Sequence, residues 1–439
     1  MSPRKNLCAT ALYQEVKETF AEIEDHRSNE VDIPLEDILM SAFAMFSLKD
    51  DSLLRFDKRR EDGEEKENLE RVYGIEEIPC DTTMREEIDE VDPEGIKKGF
   101  KIIFKGAQRG GLLKGFSYLD GYYLVSLDGT KNFSSKKISC PSCLERKQKN
   151  GEVIYYHQFM GAVIVHPDKA EVIPIGAESI IKQDGETKND CERNAGKRLV
   201  KDIRKNHPKL KIIILEDGLH STGPNIKELE KQGMSYVIGA KKSDHKVLFK
   251  ELGSRKEAGE SHNYKVIEEE TKVEHHFHYS NDLAINASNE DVRVNVLEYW
   301  EKSEKKEQYF AWVTDIEISE ENVEEIMRAG RARWKVENET LNTLKNQGYN
   351  AEHNYGHGKQ NLAVNLMLIM MLAFLVDQIL QIACPLFQAA KAKCKTKKLL
   401  WERVRHLFYT LPFDNMENIY RAITHGFKVT NYEILYDTS

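Results

Sequence analysis

The hydrophobic period of this sequence changes along the chain, and the changes divide it into regions. From 31 to about 116, apolar residues recur every three or four positions, as in Leu39, Phe43 and Phe46, which is typical of amphipathic helices. From Tyr122 onward, runs rich in aromatic and β-branched residues indicate strands. The pattern therefore predicts a helical N-terminal domain followed by a domain that contains a sheet.

Strands and helices alternate in the middle of the chain. Three strand-like runs in succession favour a meander, and the alternation that follows them favours parallel strands, so the sequence predicts an α/β fold with a mixed sheet. The predicted strands lie near 122–127, 154–165, 171–175, 212–215 and 236–239, and the helices between them lie near 191–206 and 225–232.

The segment from 246 to 315 returns to strict alternation with no convincing helix, which predicts an all-β insertion. Helical periodicity resumes near 320–347 and 358–382, and a basic amphipathic helix follows near 399–409. The predicted domains are a helical N-terminal domain (1–115), a mixed-sheet core in two parts (116–245 and 316–385), the β insertion (246–315) and a basic helical C-terminal region (386–439).

The composition is that of a soluble globular protein, since 40% of the 439 residues are hydrophobic and 31% are charged. Seven scattered cysteines, an odd number, suit a reducing compartment, and charged residues near the N-terminus disfavour a signal peptide, so we expect a cytoplasmic protein. The uncharged run 361–376 approaches membrane-spanning length. Because Asn361, Asn365 and Asp377 interrupt or end it, a buried helix is expected and no membrane partner.

The net charge of −9 argues against a protein coated with positive potential. Charge is segregated, however, because 391–405 holds seven basic residues and one acidic residue. A nucleic-acid enzyme could keep its basic surface local in this way.

Two acids follow strand-like runs and precede glycine. Asp128 ends the run YYLVSL and Asp217 ends KIIILE, and functional groups in open sheets gather at such strand ends. A third acid, Glu337, lies in a predicted helix. Three carboxylates brought together would repel one another unless they bound cations, and Mg²⁺ prefers oxygen ligands, so the pattern predicts a two-metal site. The alternative is that each Asp-Gly pair is only a turn that ends a strand.

These segments resemble a DDE transposase of the insertion-sequence-four type. The matching residues are Ser126-Leu-Asp-Gly-Thr130, Ile214-Leu-Glu-Asp-Gly-Leu219 and Gly330-Arg-Ala-Arg-Trp-Lys-Val-Glu-Asn-Glu339. The resemblance covers about 122–378, and the long gap of 119 residues between Asp217 and Glu337 matches the β insertion of that family. It implies an RNase H-like catalytic core in which Asp128, Asp217 and Glu337 hold two Mg²⁺ or Mn²⁺ ions.

The resemblance also implies a reaction and partners. The enzyme would cleave the ends of a transposable element and join the freed 3′-hydroxyl to target DNA, acting as a homodimer or larger assembly on two DNA ends. The two-part core (116–245 and 316–385) would be catalytic, and the helical N-terminal domain (1–115) could bind the DNA ends. One alternative is a metal-dependent nuclease of the same fold that cuts but does not join. Another is an inactive DNA-binding protein derived from a transposase.

The family signature reads tyrosine, two residues, arginine, three residues, glutamate, six residues, lysine, and here only its middle matches, at Arg333 and Glu337. Gly330 occupies the tyrosine position, and Lys345 falls one residue after the lysine position. A slip of one residue rotates a helical side chain by about 100°, so another lysine could contact the DNA phosphates instead; the candidates are Lys335 and Lys359. Glu339 is a rival to Glu337 but faces another side of the helix.

Basic and aromatic residues surround the candidate glutamate. Arg331, Arg333 and Lys335 alternate with Trp334, and arginine with an exposed aromatic ring suits contact with a DNA end. The alternative is an ordinary amphipathic helix with Trp334 and Val336 in the core. His353 and His357 follow closely and could approach DNA or the metal site.

Cys140 and Cys143 form a pair of the kind that supplies two ligands to zinc. The sequence holds no second such pair, so the remaining ligands of a Zn²⁺ ion would have to be distant, with His157 and Cys191 as candidates. A reduced loop without metal is the alternative.

Overall fold

A single mixed sheet of eleven strands runs through the residues that the computed structural model describes, which are 7–27, 31–61, 63–182 and 191–428. The strands are β1 (Ser117–Tyr118), β2 (Tyr122–Ser135), β3 (Leu144–Lys147), β4 (Val153–Val165), β5 (Ile173–Ile180), β6 (Ile212–Glu216), β7 (Ser235–Gly239), β8 (His262–Ile267), β9 (Glu274–Ala284), β10 (Arg293–Lys302) and β11 (Glu307–Thr314).

The strand order is β3-β4-β2-β6-β7-β11-β10-β9-β8, with β1 paired to β2 and β5 paired to β4. Strands β2, β6 and β7 are parallel to one another, whereas the remaining pairs are antiparallel. The predicted meander followed by parallel strands is therefore confirmed. Helices α7 (Glu192–Asn206) and α8 (Gly223–Lys231) provide the crossovers that parallel pairing requires.

The region predicted as an all-β insertion contains a helix, so that part of the prediction is wrong. Helix α9 spans Lys246–Ala258 and ends at Gly259, whose φ of 72° is left-handed. Its periodicity is weak because only Leu248 and Leu252 are buried, and Val247 beside them is exposed. The four strands that follow α9 continue the same sheet, because β11 pairs with β7.

The N-terminal region is helical, as its periodicity predicted. Asp92 caps the longest of its helices by accepting a hydrogen bond from the Glu94 amide at 3.0 Å, and Pro93 follows at the first position. The helices are α1 (Ala9–Ala21), α2 (Leu35–Ser47), α3 (Leu53–Asp57), α4 (Gly63–Tyr73), α5 (Asp81–Glu90) and α6 (Pro93–Arg109), with 3₁₀ turns at Lys58–Glu61 and Leu112–Phe116.

The apolar run near residue 370 forms α12 (Leu362–Ala383), which packs against α2, α5, α6 and β5. Within the described ranges it is the one helix long and apolar enough to cross a membrane, and 89% of its most apolar window is buried inside the protein. Asn365 is accommodated there because its side-chain amide donates to the Ile88 and Val91 carbonyls, each at 2.8 Å. The buried helix is therefore confirmed.

Helices also follow the sheet. Besides α12, they are α10 (Val323–Ala332), a π-helical turn (Val336–Leu341), α11 (Asn342–Asn346), α13 (Pro385–Cys394), α14 (Lys397–Thr410) and α15 (Met416–His425). Most of the basic segment lies on α13 and α14. Because α14 packs against α4 and α15 packs against α1, the N-terminal and C-terminal helices share one core.

Candidate active site

Asp128 and Asp217 occupy equivalent positions on neighbouring parallel strands. The β2–β6 register pairs Ser126 with Leu215, and two further residues along each chain lead to the two aspartates. Neighbouring strands lie about 4.8 Å apart, and side chains two residues apart share a face. The two carboxylates therefore lie side by side at one edge of the parallel part of the sheet.

The local setting of Asp128 differs from the prediction, because Asp128 does not end its strand. Strand β2 continues to Ser135, and Asp128 pairs with Gly161 of β4. The following Gly129 makes no turn; instead, a Cβ atom there would lie 2.7 Å from a carboxylate oxygen of Glu192. Asp217, by contrast, follows the end of β6 as predicted.

The third carboxylate reaches the same edge from a helix. Glu337 lies in the π-helical turn Val336–Leu341, and the segment before it is fixed over β2 because the Ser126 hydroxyl donates to the Arg333 carbonyl at 3.0 Å. π-Helical turns are rare and often mark functional sites. Val336 is fully buried beneath the turn.

The pKa of Asp128 depends on its burial and on the charges around it, including those of the two other acids. Burial raises the pKa of Asp128 above its usual 3.8; Arg333 and the Gly129 amide lower it, and the charges of Asp217 and Glu337 raise it again. The net direction is upward chiefly because Asp128 is buried, and the charges of the two other acids add to that effect. A bound cation would favour the ionised form of Asp128.

Glu339, the rival glutamate, faces elsewhere. It lines a cleft of about 820 Å³ together with basic residues of α13 and α14, and its charge acts on Lys397. Of the two glutamates on the π-helical turn, Glu337 is the one whose charge acts on Asp128.

Arg333 links the glutamate segment to the first aspartate, since its guanidinium lies 3.3 Å from an Asp128 carboxylate oxygen. It also lies 4.5 Å above the ring of Trp334, which is 48% exposed. The core alternative for Trp334 is therefore wrong. A regular helix would place 334 on the buried face with Met327 and Gly330, but α10 ends at Ala332, so this periodicity does not extend to Trp334.

The comparison with protein families decides the classification of the chain. A family model described as a transposase DDE domain matches residues 125–375, more than half of the sequence and the whole segment that carries the three acids. The chain belongs to this transposase family. Its members are DNA-cleaving and DNA-joining enzymes in general, and they generally use divalent metal ions.

The similarity of this transposase to a solved structure is weak. A piggyBac transposase, solved as a synaptic complex with hairpin DNA, is 14% identical, with 96% of this chain and 79% of that chain covered and a TM-score of 0.41. No curated protein matches the sequence.

The remaining residues predicted to contact DNA have varied surroundings in this transposase. Lys335 donates to the Lys169 carbonyl at 2.6 Å, and Lys345 pairs with Glu352 at 3.2 Å. The side chains of His353 and Lys359 are exposed, whereas that of His357 is buried. Arg331 forms an ion pair with Glu301 and lies over the ring of Phe310.

Gly330 shows why the tyrosine of the family signature is missing here. A Cβ atom at position 330 would clash with the indole ring of Trp312, which is itself buried. The close approach of α10 to β11 therefore leaves no room for a tyrosine at this point.

The two cysteines predicted as a half-site for zinc lie beside two histidines, His157 and His357. The sequence indicates His157 as a candidate zinc ligand, whereas it places His357 near DNA or the carboxylate metal site and not at the zinc site. Cys191, the other candidate, is exposed before α7 and does not join the group.

Sequence reasoning missed a buried pair next to Asp217. Glu216 is 1% exposed; it accepts a hydrogen bond from the Asn225 amide at 2.7 Å and lies 3.0 Å from Nδ1 of His220. Burial alone would lower the pKa of His220, but Glu216, Asp217 and Glu192 raise it above its usual 6.5. Glu216 and His220 thus hold the turn that carries Asp217. In the sequence, the only sign of this pair is that two acids are adjacent at the end of a strand.

Proposed function

We propose that this transposase is of the insertion-sequence-four type, cleaving the ends of its element and joining the freed 3′-hydroxyl to target DNA. The observation that carries the proposal is the meeting of Asp128, Asp217 and Glu337 at one sheet edge, with Arg333 beside them. An arginine beside paired carboxylates suits a phosphodiester, because it can bind a phosphate oxygen while the acids hold cations.

The residues present fit two Mg²⁺ or Mn²⁺ ions. The donors are carboxylates, which hard divalent cations prefer, and the charges of Asp217 and Glu337 both act on Asp128. Asp128, Asp217 and Glu337 would hold the ions, which when bound activate the attacking oxygen and stabilise the leaving oxygen of a phosphodiester. The carboxylates act as ligands and form no covalent bond to DNA.

The strand order supports the RNase H-like core that the resemblance implies. Strands β5, β4 and β2 are antiparallel, and β6 and β7 extend them in parallel. The segment 246–315, inserted between β7 and the glutamate helix, is proposed as the family's insertion, with a helix followed by strands.

Two surfaces are proposed to contact DNA. The first is the exposed face of Trp334 with Arg333 beneath it, next to the carboxylates. The second is the cleft that Glu339 lines on the other side of the π-helical turn. Burial, and then the charge of Lys391, lower the pKa of Lys397 in this cleft, so an anion there would relieve repulsion between lysines.

Changing Lys395, Lys397 and Lys398 together to alanine should flatten the dependence of log K on log salt for duplex DNA. Each lost phosphate contact removes about 0.9 from the slope. Lys393 is a matched control, because it is exposed on α13 but does not line the cleft. Titration by fluorescence anisotropy at several salt concentrations measures the slope; an unchanged slope in the triple variant would show that the cleft does not bind DNA.

We propose that the active assembly is a dimer or larger. One set of three carboxylates accommodates one scissile phosphate, so paired insertion of two ends requires two subunits. Light scattering with and without end DNA measures the assembly, and a complex of one chain that still inserts both ends would contradict the proposal.

The reaction is tested with the inverted repeats that flank the coding sequence. The substrate is an end duplex already cut to expose its 3′-hydroxyl and labelled on the transferred strand, incubated with plasmid and Mg²⁺. The proposal predicts labelled DNA joined to plasmid. Cleavage of uncut ends without any joining would indicate a nuclease, and binding without either reaction would indicate an inactive DNA-binding protein.

A further inference from the structure

Four metal-ligating side chains from three separate parts of the chain meet at one point. Cys140 and Cys143 lie in the loop between β2 and β3, His157 lies on β4, and His357 lies in the loop before α12. One ligand atom from each lies within 4.8 Å of all the others. Three of the four residues are almost fully buried: Cys143 is 1% exposed, and each histidine is 4% exposed.

The separations between the ligand atoms fit a tetrahedral ion. The two sulfurs are 3.5 Å apart, Nε2 of His157 lies 3.2 Å and 3.4 Å from them, and Nδ1 of His357 lies 3.1 Å from the Cys143 sulfur. An ion with ligand distances of about 2.0–2.3 Å would hold its ligand atoms roughly 3.3–3.8 Å apart. These four separations lie in or just below this range, so small displacements of the side chains would let them enclose an ion.

Two hydrogen bonds within the loop hold the two cysteines close together. The Cys140 amide donates to the Cys143 sulfur at 3.3 Å, and the Cys143 amide donates to the Cys140 carbonyl at 3.1 Å.

The arrangement disfavours a disulfide as the state of this pair. The sulfurs are far beyond the bond length of about 2.05 Å, and both cysteines are free. A disulfide would also leave two buried imidazoles beside it with no thiolate to bind.

We propose that Cys140, Cys143, His157 and His357 bind one structural Zn²⁺ ion. Two thiolates and two imidazoles are a common zinc ligand set, and four protein ligands leave no open position for catalysis. This inference does not rest on the proposed reaction.

The ion would tie the catalytic strand to the segment that follows the glutamate. On β4, His157 is followed by Gln158, which pairs with Lys131 of β2. Lys131 lies three residues after Asp128, which is about 10 Å along the strand. Across the ion, His357 lies 20 residues after Glu337, and the Ser142 hydroxyl already donates to the Gln360 carbonyl at 3.3 Å. Zinc would thus fix the position of the strands beside Asp128 relative to the segment that follows Glu337, although these parts of the chain are far apart in sequence.

The test is metal analysis of the full-length protein purified without added chelator, with Cys143→Ser and His357→Asn as variants. Cys191→Ser is the matched control, because Cys191 is exposed and outside the group. We expect about one zinc ion per chain in the wild type and the control. The two variants should lose most of the zinc.

A second measurement does not depend on the variants folding. Wild-type protein stripped of zinc and loaded with Co²⁺ should show the intense visible bands of tetrahedral cobalt and a thiolate-to-cobalt charge-transfer band. The proposal is overturned if the wild type carries no zinc and cobalt gives neither feature. It is also overturned if mass spectrometry finds a Cys140–Cys143 disulfide, or if Cys191→Ser loses zinc as fully as Cys143→Ser.

Discussion

Asp128→Asn, Asp217→Asn and Glu337→Gln should each lower the rate of end cleavage by roughly a hundredfold to a thousandfold or more, while binding of end DNA stays close to wild type. Loss of one electrostatic contact to a developing charge costs this much in other active sites. The amides are nearly isosteric with the acids, so packing changes little. A single-turnover cleavage assay, with binding measured in parallel, checks the prediction.

The same variants should not unfold the protein. The folded-state pKa of Asp128 is raised above its unfolded value, so the folded state binds that proton more tightly, and the stability this provides is lost as pH rises through the raised pKa. At neutral pH the ionised Asp128 therefore opposes folding. Removing its charge should leave the melting temperature of the metal-free chain unchanged or slightly higher.

Glu339→Gln is the matched control for the glutamate. It makes the same chemical change two residues away, on the same π-helical turn, but in the basic cleft. Cleavage by this variant should stay within a few-fold of wild type. If Glu339→Gln abolished cleavage and Glu337→Gln did not, the assignment of the third ligand would be reversed.

Asp377→Ala should destabilise the protein by about 3–5 kcal/mol, the usual loss when one partner of a buried ion pair is removed. Its carboxylate lies 2.6 Å from the ammonium of Lys49, whose side chain is completely buried. Lys49 joins α2 to α12 and lies 4.1 Å above the ring of Trp401 on α14. Chemical denaturation monitored by circular dichroism measures the loss.

The control removes both charges. Lys49→Met with Asp377→Leu leaves no buried charge unpaired, so it should lose much less stability than Asp377→Ala alone. A loss below about 1 kcal/mol in the single variant would show that water reaches Lys49.

The buried pair of Lys49 and Asp377 should also make the stability of the protein depend on pH. Burial lowers the pKa of Lys49 from 10.5 to about 8, although Asp377 opposes the shift. At a pH between these two pKa values, Lys49 binds more protons in the unfolded chain than in the folded chain. Lys49 therefore makes the free energy of unfolding rise with pH in this range. Without Asp377 the pKa of Lys49 should fall further, and the rise should begin at lower pH.

Local patterns predicted those parts of the fold in which neighbouring residues decide the structure. The buried strands β2 and β6 and the run of N-terminal helices follow from period and residue type. The end of β6 at Glu216 was predictable for the same reason. Helix α9 was missed because its buried face consists of only two leucines.

Features that depend on long-range contact could not be predicted in this way. Asp128 lies in the middle of a strand because β4 continues to pair beyond it, and Trp334 is exposed because α10 ends before it, at Ala332. His357 joins Cys143 from 214 residues away, a distance at which spacing rules for metal ligands give no signal. In each case a distant segment determines the outcome.

Iron-directed cleavage of the protein backbone tests most directly whether Asp128, Asp217 and Glu337 share one metal site. Fe²⁺ replaces Mg²⁺ at carboxylate ligands, and with ascorbate and peroxide it cuts the chain close to where it binds. We predict cuts near residues 128, 217 and 337 together, all suppressed by excess Mg²⁺ and lost in Asp128→Asn. Cuts confined to one of these segments, or cuts that persist unchanged in Asp128→Asn, would contradict a shared site.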